Sequence, residues 1–105
     1  MTEEKRRYER MKIRVPVEIR TPNNNPIRAE TTDLSVSGFY LEMLFTLDIG
    51  TLLDVSLRLG DATVVAAAEV VTCDRTVGNG IRFTRILPED KEQLDRFLQA
   101  AAAAQ

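Results

Sequence analysis

Two short stretches of this 105-residue chain carry side chains able to do chemistry on a ligand. Arg6-Arg7-Tyr8-Glu9-Arg10 sets Arg6 and Arg10 four apart with Arg7 between them. Asp33-Leu34-Ser35-Val36-Ser37-Gly38 sets an acid, a hydroxyl and a glycine in the order DxSxxG. A guanidinium is a planar fork of donors that fits phosphate oxygens, or O6 and N7 of guanine. A carboxylate accepts from N1–H and N2–H₂ of guanine together, a donor pair no other standard base offers. Ser35 adds a hydroxyl, and Gly38 permits a close backbone approach or a positive φ. Together the two stretches suit a guanine nucleotide. Taken singly each is weak, because RxxxR is common in basic tails and Asp, Ser and Gly are all favoured in plain turns.

Other chemistries are poorly served. There is no histidine, which removes the commonest general base and metal ligand, and with them Ser-His-Asp and Cys-His catalysis. One cysteine, Cys73, makes neither an intrachain disulfide nor a Cys/His zinc site. It follows an apolar stretch with only Arg75 near it in sequence, and reads as an inert small residue. No carboxylate pair is spaced as acid and base, so an enzyme is not expected. No apolar run approaches the roughly 20 residues that span a bilayer. The charged start MTEEKRRYER lacks the apolar core of a secretion signal, and a cytoplasmic, bacterial-style domain is the default expectation.

Charge is unevenly placed. Lys5, Arg6, Arg7, Arg10, Lys12 and Arg14 face Glu9 alone, a local +5 within a chain of net charge −2, so the rest carries −7. A basic arm on an acidic body suits a compact phosphate-bearing partner better than a duplex, whose binding rests on many neutralised phosphates.

The elements that must position these groups are short strands. Ile13, Val15, Val17 and Ile19 alternate with polar residues and predict a strand over Met11–Ile19, with Pro16 confining it to an edge or turning its missing N–H outward. Thr21–Pro26 is a turn, and Ile27–Thr32 returns. Phe39–Met43 and Leu53–Leu59 alternate cleanly, with a break at Asp48-Ile49-Gly50. Gly60-Asp61 is a tight turn, and Thr63–Thr72 a long strand despite its alanines. Val77-Gly78-Asn79-Gly80 reads as a turn before a last strand from Ile81 to Arg85. Pro88-Glu89-Asp90 opens a helix whose Leu87, Leu94, Phe97, Leu98 and Ala101 share one face. Six short antiparallel strands favour a small closed barrel with a C-terminal helix, because closure removes exposed edges. The expected division is a flexible basic arm over 1–12, one barrel domain with its helix over 13–99, and a fraying alanine-rich tail over 100–105.

With both stretches in this order on this strand pattern, the chain resembles the PilZ domain family. Arg6 and Arg10, then Asp33, Ser35 and Gly38, carry the resemblance, and Gly80-Ile81-Arg82-Phe83 is similar to the family's late strand. It spans about Lys5 to Leu98. The resemblance implies a mainly β fold, a six-stranded antiparallel β-barrel with a C-terminal α-helix, and a receptor for the second messenger cyclic di-GMP. It implies that Arg6 and Arg10 grip phosphates and guanine edges, that Asp33 and Ser35 contact guanine from the barrel, and that Gly38 holds the turn. Arg7 and Lys5 are then accessory phosphate partners. Arg82 is close enough in sequence to the late glycine to be considered, although its type better fits a solvated barrel face. Tyr8 suits either a stacked base or the barrel mouth.

The expected function is therefore a non-enzymatic sensor needing no cofactor. Cyclic di-GMP would order the arm and change the surface offered to an unknown downstream protein. Two other classes stay open. A small-barrel nucleic-acid binder would need more exposed aromatics than four Phe and two Tyr on an acidic body supply. A ligand-independent interaction module of the same fold would show no nucleotide binding.

Overall fold

The alternation of apolar and polar residues becomes an alternation of inside and outside around a closed barrel. In this computed structural model, which describes residues 10–22 and 25–104, six strands run antiparallel: β1 (Pro16–Arg20), β2 (Ile27–Leu34), β3 (Gly38–Glu42), β4 (Leu52–Leu59), β5 (Ala62–Asp74) and β6 (Gly78–Ile86). Their spatial order is β1-β2-β3-β6-β5-β4, and β1 closes the circle on β4 with Val17 opposite Leu57 and Arg20 opposite Asp54. Pro16 opens β1, where a missing donor breaks no ladder. Inward residues such as Ile19, Leu34, Phe39, Leu57, Val64 and Ile81 are buried almost completely. A helix, α1 (Pro88–Ala103), lies against β5 and adds buried Leu94 and Leu98 to that core.

The fold class is the expected one, and several boundaries differ for physical reasons. Residues 11–15 are not part of β1. They lie along β2, where Met11 and Leu34 exchange two backbone hydrogen bonds of 2.9 Å. Buried Thr31 then substitutes its side chain for a ladder rung: its Oγ1 accepts from the Val15 N–H at 3.1 Å and donates to the Ile13 carbonyl at 2.8 Å. β2 also runs past Thr32 to Leu34, through an irregularity between Thr31 and Asp33.

The turn expected at Val77–Gly80 lies earlier. The chain reverses over Asp74–Val77, where the Val77 N–H donates to the Asp74 carbonyl at 2.8 Å and Thr76 takes φ 61°. Gly78, Asn79 and Gly80 are ladder residues of β6, paired with Glu42, Leu41 and Tyr40. Their glycines serve close approach: a Cβ on Gly78 would strike the Tyr40 ring and the Leu41 carbonyl, and one on Gly80 would strike the Thr72 hydroxyl. At the helix, Leu87 precedes the first turn and is exposed rather than part of the buried face. The helix continues through Ala103, into the alanine run for which fraying is expected.

Candidate functional site

The candidate site is assembled where β2 turns into β3. Asp33 stands second to last on β2, opposite Tyr40 of β3. Leu34 and Phe39 point into the core, so strand alternation sends Asp33, Gly38 and Tyr40 to the outer face. The Ser35 N–H donates to the Gly38 carbonyl at 2.8 Å and leaves Val36 and Ser37 at the tip.

Ser35 is fully buried, and its hydroxyl works within that turn. Its Oγ accepts from the Ser37 N–H at 3.1 Å, lies 2.9 Å from the Ser37 Oγ and reaches the Gly38 carbonyl at 3.3 Å. Here Ser35 fixes the shape of the loop behind Asp33. Gly38 does not have a positive φ. It is required for the other reason, since a Cβ there would run into the carbonyl of Ile81 on β6. The turn is held from that side too, with the Phe83 N–H donating to the Ser37 carbonyl at 2.9 Å.

Arg10 is brought to the same place. Its Nη1 donates to Asp33 Oδ1 at 2.7 Å, a charge-assisted bond joining the two stretches across 23 residues of sequence. The Met11–Leu34 bridge makes this possible, because it seats the residue after Arg10 beside the residue after Asp33. The Arg10 side chain is 47% exposed and that of Asp33 25% exposed. Among the described residues, Asp33 Oδ2 has no hydrogen-bond partner and the Arg10 fork makes no side-chain hydrogen bond but the one to Asp33. Arg6 and Arg7, like Lys5 and Tyr8, lie outside the described residues.

Sequence reasoning missed the groups that support this arrangement. Thr31, buried in β2, ties down the segment leading from Arg10. Tyr40 donates its phenol proton to Asp74 Oδ2 at 2.7 Å, and that hydrogen bond, aided by burial, pushes the phenol pKa up to about 12. Buried Asn79 accepts from the Leu47 N–H at 2.8 Å and donates to the carbonyls of Leu47 and Thr72, pinning the β3–β4 loop to β6. Pairs this remote leave no periodic trace, and the Gly78-Asn79-Gly80 stretch read as a turn.

The surroundings bear on what the site can do. The cleft lined by Pro16, Glu18, Arg28 and Arg58 lies elsewhere on the barrel and does not include Asp33. Among the described residues, no group of three His, Cys, Asp or Glu is arranged to hold a metal ion, and no helix is long and apolar enough to cross a membrane. A fixed carboxylate beside a half-free guanidinium can accept from a donor edge and bind an anion at once.

Comparison with known proteins agrees with this architecture. YcgR from Escherichia coli, solved in complex with c-di-GMP, matches with a TM-score of 0.79 at 19% identity, over 93% of this chain and 46% of that one. The Bacillus subtilis inhibitor of motility MotI/DgrA matches at 0.78 and 16% identity, over 91% of this chain and 51% of that one. The PilZ domain of CeSA from a cellulose-synthesizing bacterium matches at 0.71 and 16% identity, over 90% of this chain and 98% of that one. This chain thus spans about half the length of the first two and nearly all of the third. Likeness at such identities speaks to the fold. No curated protein sequence matches the chain significantly. The sequence model of the PilZ domain matches residues 4–100, almost the full length, and the chain therefore belongs to the PilZ domain family.

Proposed function

We propose that this domain is a non-catalytic receptor for cyclic di-GMP, read jointly by the arm and by the β2–β3 turn. The observation that carries the proposal is the 2.7 Å contact between Arg10 and Asp33, which puts a residue from each half of the motif in one place. Family membership and the E. coli relative solved with c-di-GMP support the same ligand.

The division of labour follows from the chemistry. Asp33 accepts from N1–H and N2–H₂ of one guanine. Arg10 turns part of its fork from Asp33 to guanine O6 and N7 or to a phosphate oxygen, and Arg6 and Arg7 add positive charge to the phosphates. Ser35 and Gly38 hold the turn that aims Asp33. Binding closes the arm over the ligand and alters the surface presented to a downstream protein. Several charge-assisted hydrogen bonds, each about 1.5–3 kcal/mol net, offset the cost of ordering the arm, and a micromolar Kd needs only about −8 kcal/mol.

Calorimetric titration of the purified chain with cyclic di-GMP, cyclic di-AMP and GTP tests this. Selective binding of the first is expected. Adenine offers N6–H₂ where guanine has O6, so Asp33 and the arginines reject it, and discrimination below about tenfold would count against the assignment of Asp33. Arg10→Ala should cost about 2 kcal/mol of affinity, roughly thirtyfold. Wild-type binding by that variant would remove Arg10 from the site. Comparing proteins retained by the immobilised domain with and without ligand then identifies the partner.

A further inference from the structure

We propose that Arg82, on the barrel itself, is a further cationic contact for the same ligand, and that Glu69 is its resident counter-ion, given up on binding. The proposal rests on the cyclic di-GMP reading above and extends the site from the β2–β3 side onto β6 and β5.

Three observations carry it. The first is register. Arg82 is paired directly with Gly38, the last residue of the DxSxxG stretch. The glycine has no side chain because β3 lies hard against β6 there; a Cβ on Gly38 would come within 3.0 Å of the Arg82 Cα. The residue that closes the turn and the cation are therefore in backbone contact. Ile81 points into the core, so alternation sends Arg82 outward, onto the face that carries Asp33. Asp33 and Arg82 are two strands apart, on the order of 10 Å across the sheet. A ligand with two guanines and two phosphates can bridge that distance.

The second observation is the ground between them. Gly38 neighbours Arg82 on that outer face and carries no side chain that would screen the guanidinium, while the space over Gly80 is taken by Thr72, whose hydroxyl accepts from the Gly80 N–H at 2.9 Å. The Tyr40 ring lies down across Gly78, with its hydroxyl held by Asp74, so it does not stand up between the two rims. Asp33, paired with Arg10, stands at one rim of this outer face and Arg82 at the other.

The third is the ion pair itself. Arg82 Nη2 donates to Glu69 Oε1 at 3.2 Å, and the two side chains are 58% and 32% exposed. A pair so exposed adds little to stability, and its partner is readily exchanged. A phosphate oxygen carries the same charge as the Glu69 carboxylate and accepts the same fork. Glu69 therefore competes with the ligand for Arg82, and also repels the phosphates.

Calorimetry on the full chain tests both roles. Arg82→Ala is expected to weaken cyclic di-GMP binding roughly tenfold while leaving the thermal midpoint near wild type. Glu69→Gln is expected to tighten binding a few-fold, and to have no effect when Arg82→Ala is already present, because the competition it relieves is then gone. Arg82→Lys keeping most of the affinity would mark a phosphate contact, and losing it as Arg82→Ala does would mark a bidentate contact to guanine. If Arg82→Ala binds within twofold of wild type while Arg10→Ala is impaired, the further contact is wrong and the receptor reading stands. If Glu69→Gln acts equally in both backgrounds, the counter-ion role is wrong. If wild type does not bind cyclic di-GMP, both proposals fall.

Discussion

A carboxylate that reads a guanine edge has to be held still without being used up. Asp33 meets both demands: one oxygen is engaged by Arg10, the other is unpartnered among the described residues, and the strand beneath is fixed by inward Leu34. Asp33→Asn keeps the shape but replaces one acceptor by a donor that opposes the guanine donors. It should lose about tenfold or more in affinity, read by calorimetry. The melting temperature should barely move, because an exposed ion pair is worth only about 0–1 kcal/mol. A variant that unfolds instead would make Asp33 a structural residue. Tyr40 gives a pH prediction. Its phenol pKa rises from the ordinary 10 to about 12 because the neutral form donates to Asp74. The stability this bond supplies is complete below pH 10 and is lost as pH climbs through about 12. Alkaline denaturation monitored by circular dichroism should show a drop in that window for wild type and a smaller one for Tyr40→Phe, and equal curves would contradict the assignment.

At the scale of elements, the legible part was whatever obeys a period. Leu53, Val55, Leu57 and Leu59 alternate because β4 has one face in the core, and the structure returns that strand with one more residue at its start. The helix was legible from Pro88 and from the spacing of Leu94 and Leu98. What escaped was decided by long-range contact. Gly78-Asn79-Gly80 has turn chemistry, yet it is a strand because a tyrosine ring and a threonine hydroxyl from neighbouring strands need the space. Residues 11–15 alternate like a strand, yet Thr31 draws them onto β2 with side-chain bonds. Of the six residues proposed from the sequence, the structure brings Arg10 to Asp33 and places Ser35 and Gly38 behind it, while Arg6 and Arg7 lie outside the described residues. That Ser35 works inside the turn was not legible, since burial of a hydroxyl depends on the whole barrel. Two variants weigh these elements. Gly38→Ala pushes a methyl into the Ile81 carbonyl and should cost about 1–3 kcal/mol in denaturant unfolding, with loss of ligand affinity as the turn shifts. Leu94→Ala empties the buried centre of the helix contact and should cost about 2–5 kcal/mol without changing ligand selectivity. If Gly38→Ala proves neutral, the close packing of β3 on β6 is less tight than the structure gives.

For the whole molecule, the closed barrel is the rigid element of the proposed receptor. Closure of β1 onto β4 leaves no open strand edge in the barrel, so adding ligand should change little in the far-ultraviolet spectrum. Trypsin should report the change instead. Cleavage after Lys5, Arg6 and Arg7 should slow when cyclic di-GMP is present, followed by mass spectrometry, and an unchanged rate would mean the arm takes no part. The stitch between Met11 and Leu34 adds a geometric consequence. Arg6 is separated from Met11 by so few peptide units that its Cα can never stray more than about 18 Å from that knot. In the proposed receptor, a ligand resting on the turn would therefore meet the remaining arginines at an effective concentration in the millimolar range, whatever the concentration of the protein in solution. Second-step capture becomes a matter of leash length, and splicing a dozen glycine and serine residues between Arg7 and Arg10 should dilute it while leaving the Arg10–Asp33 contact in place.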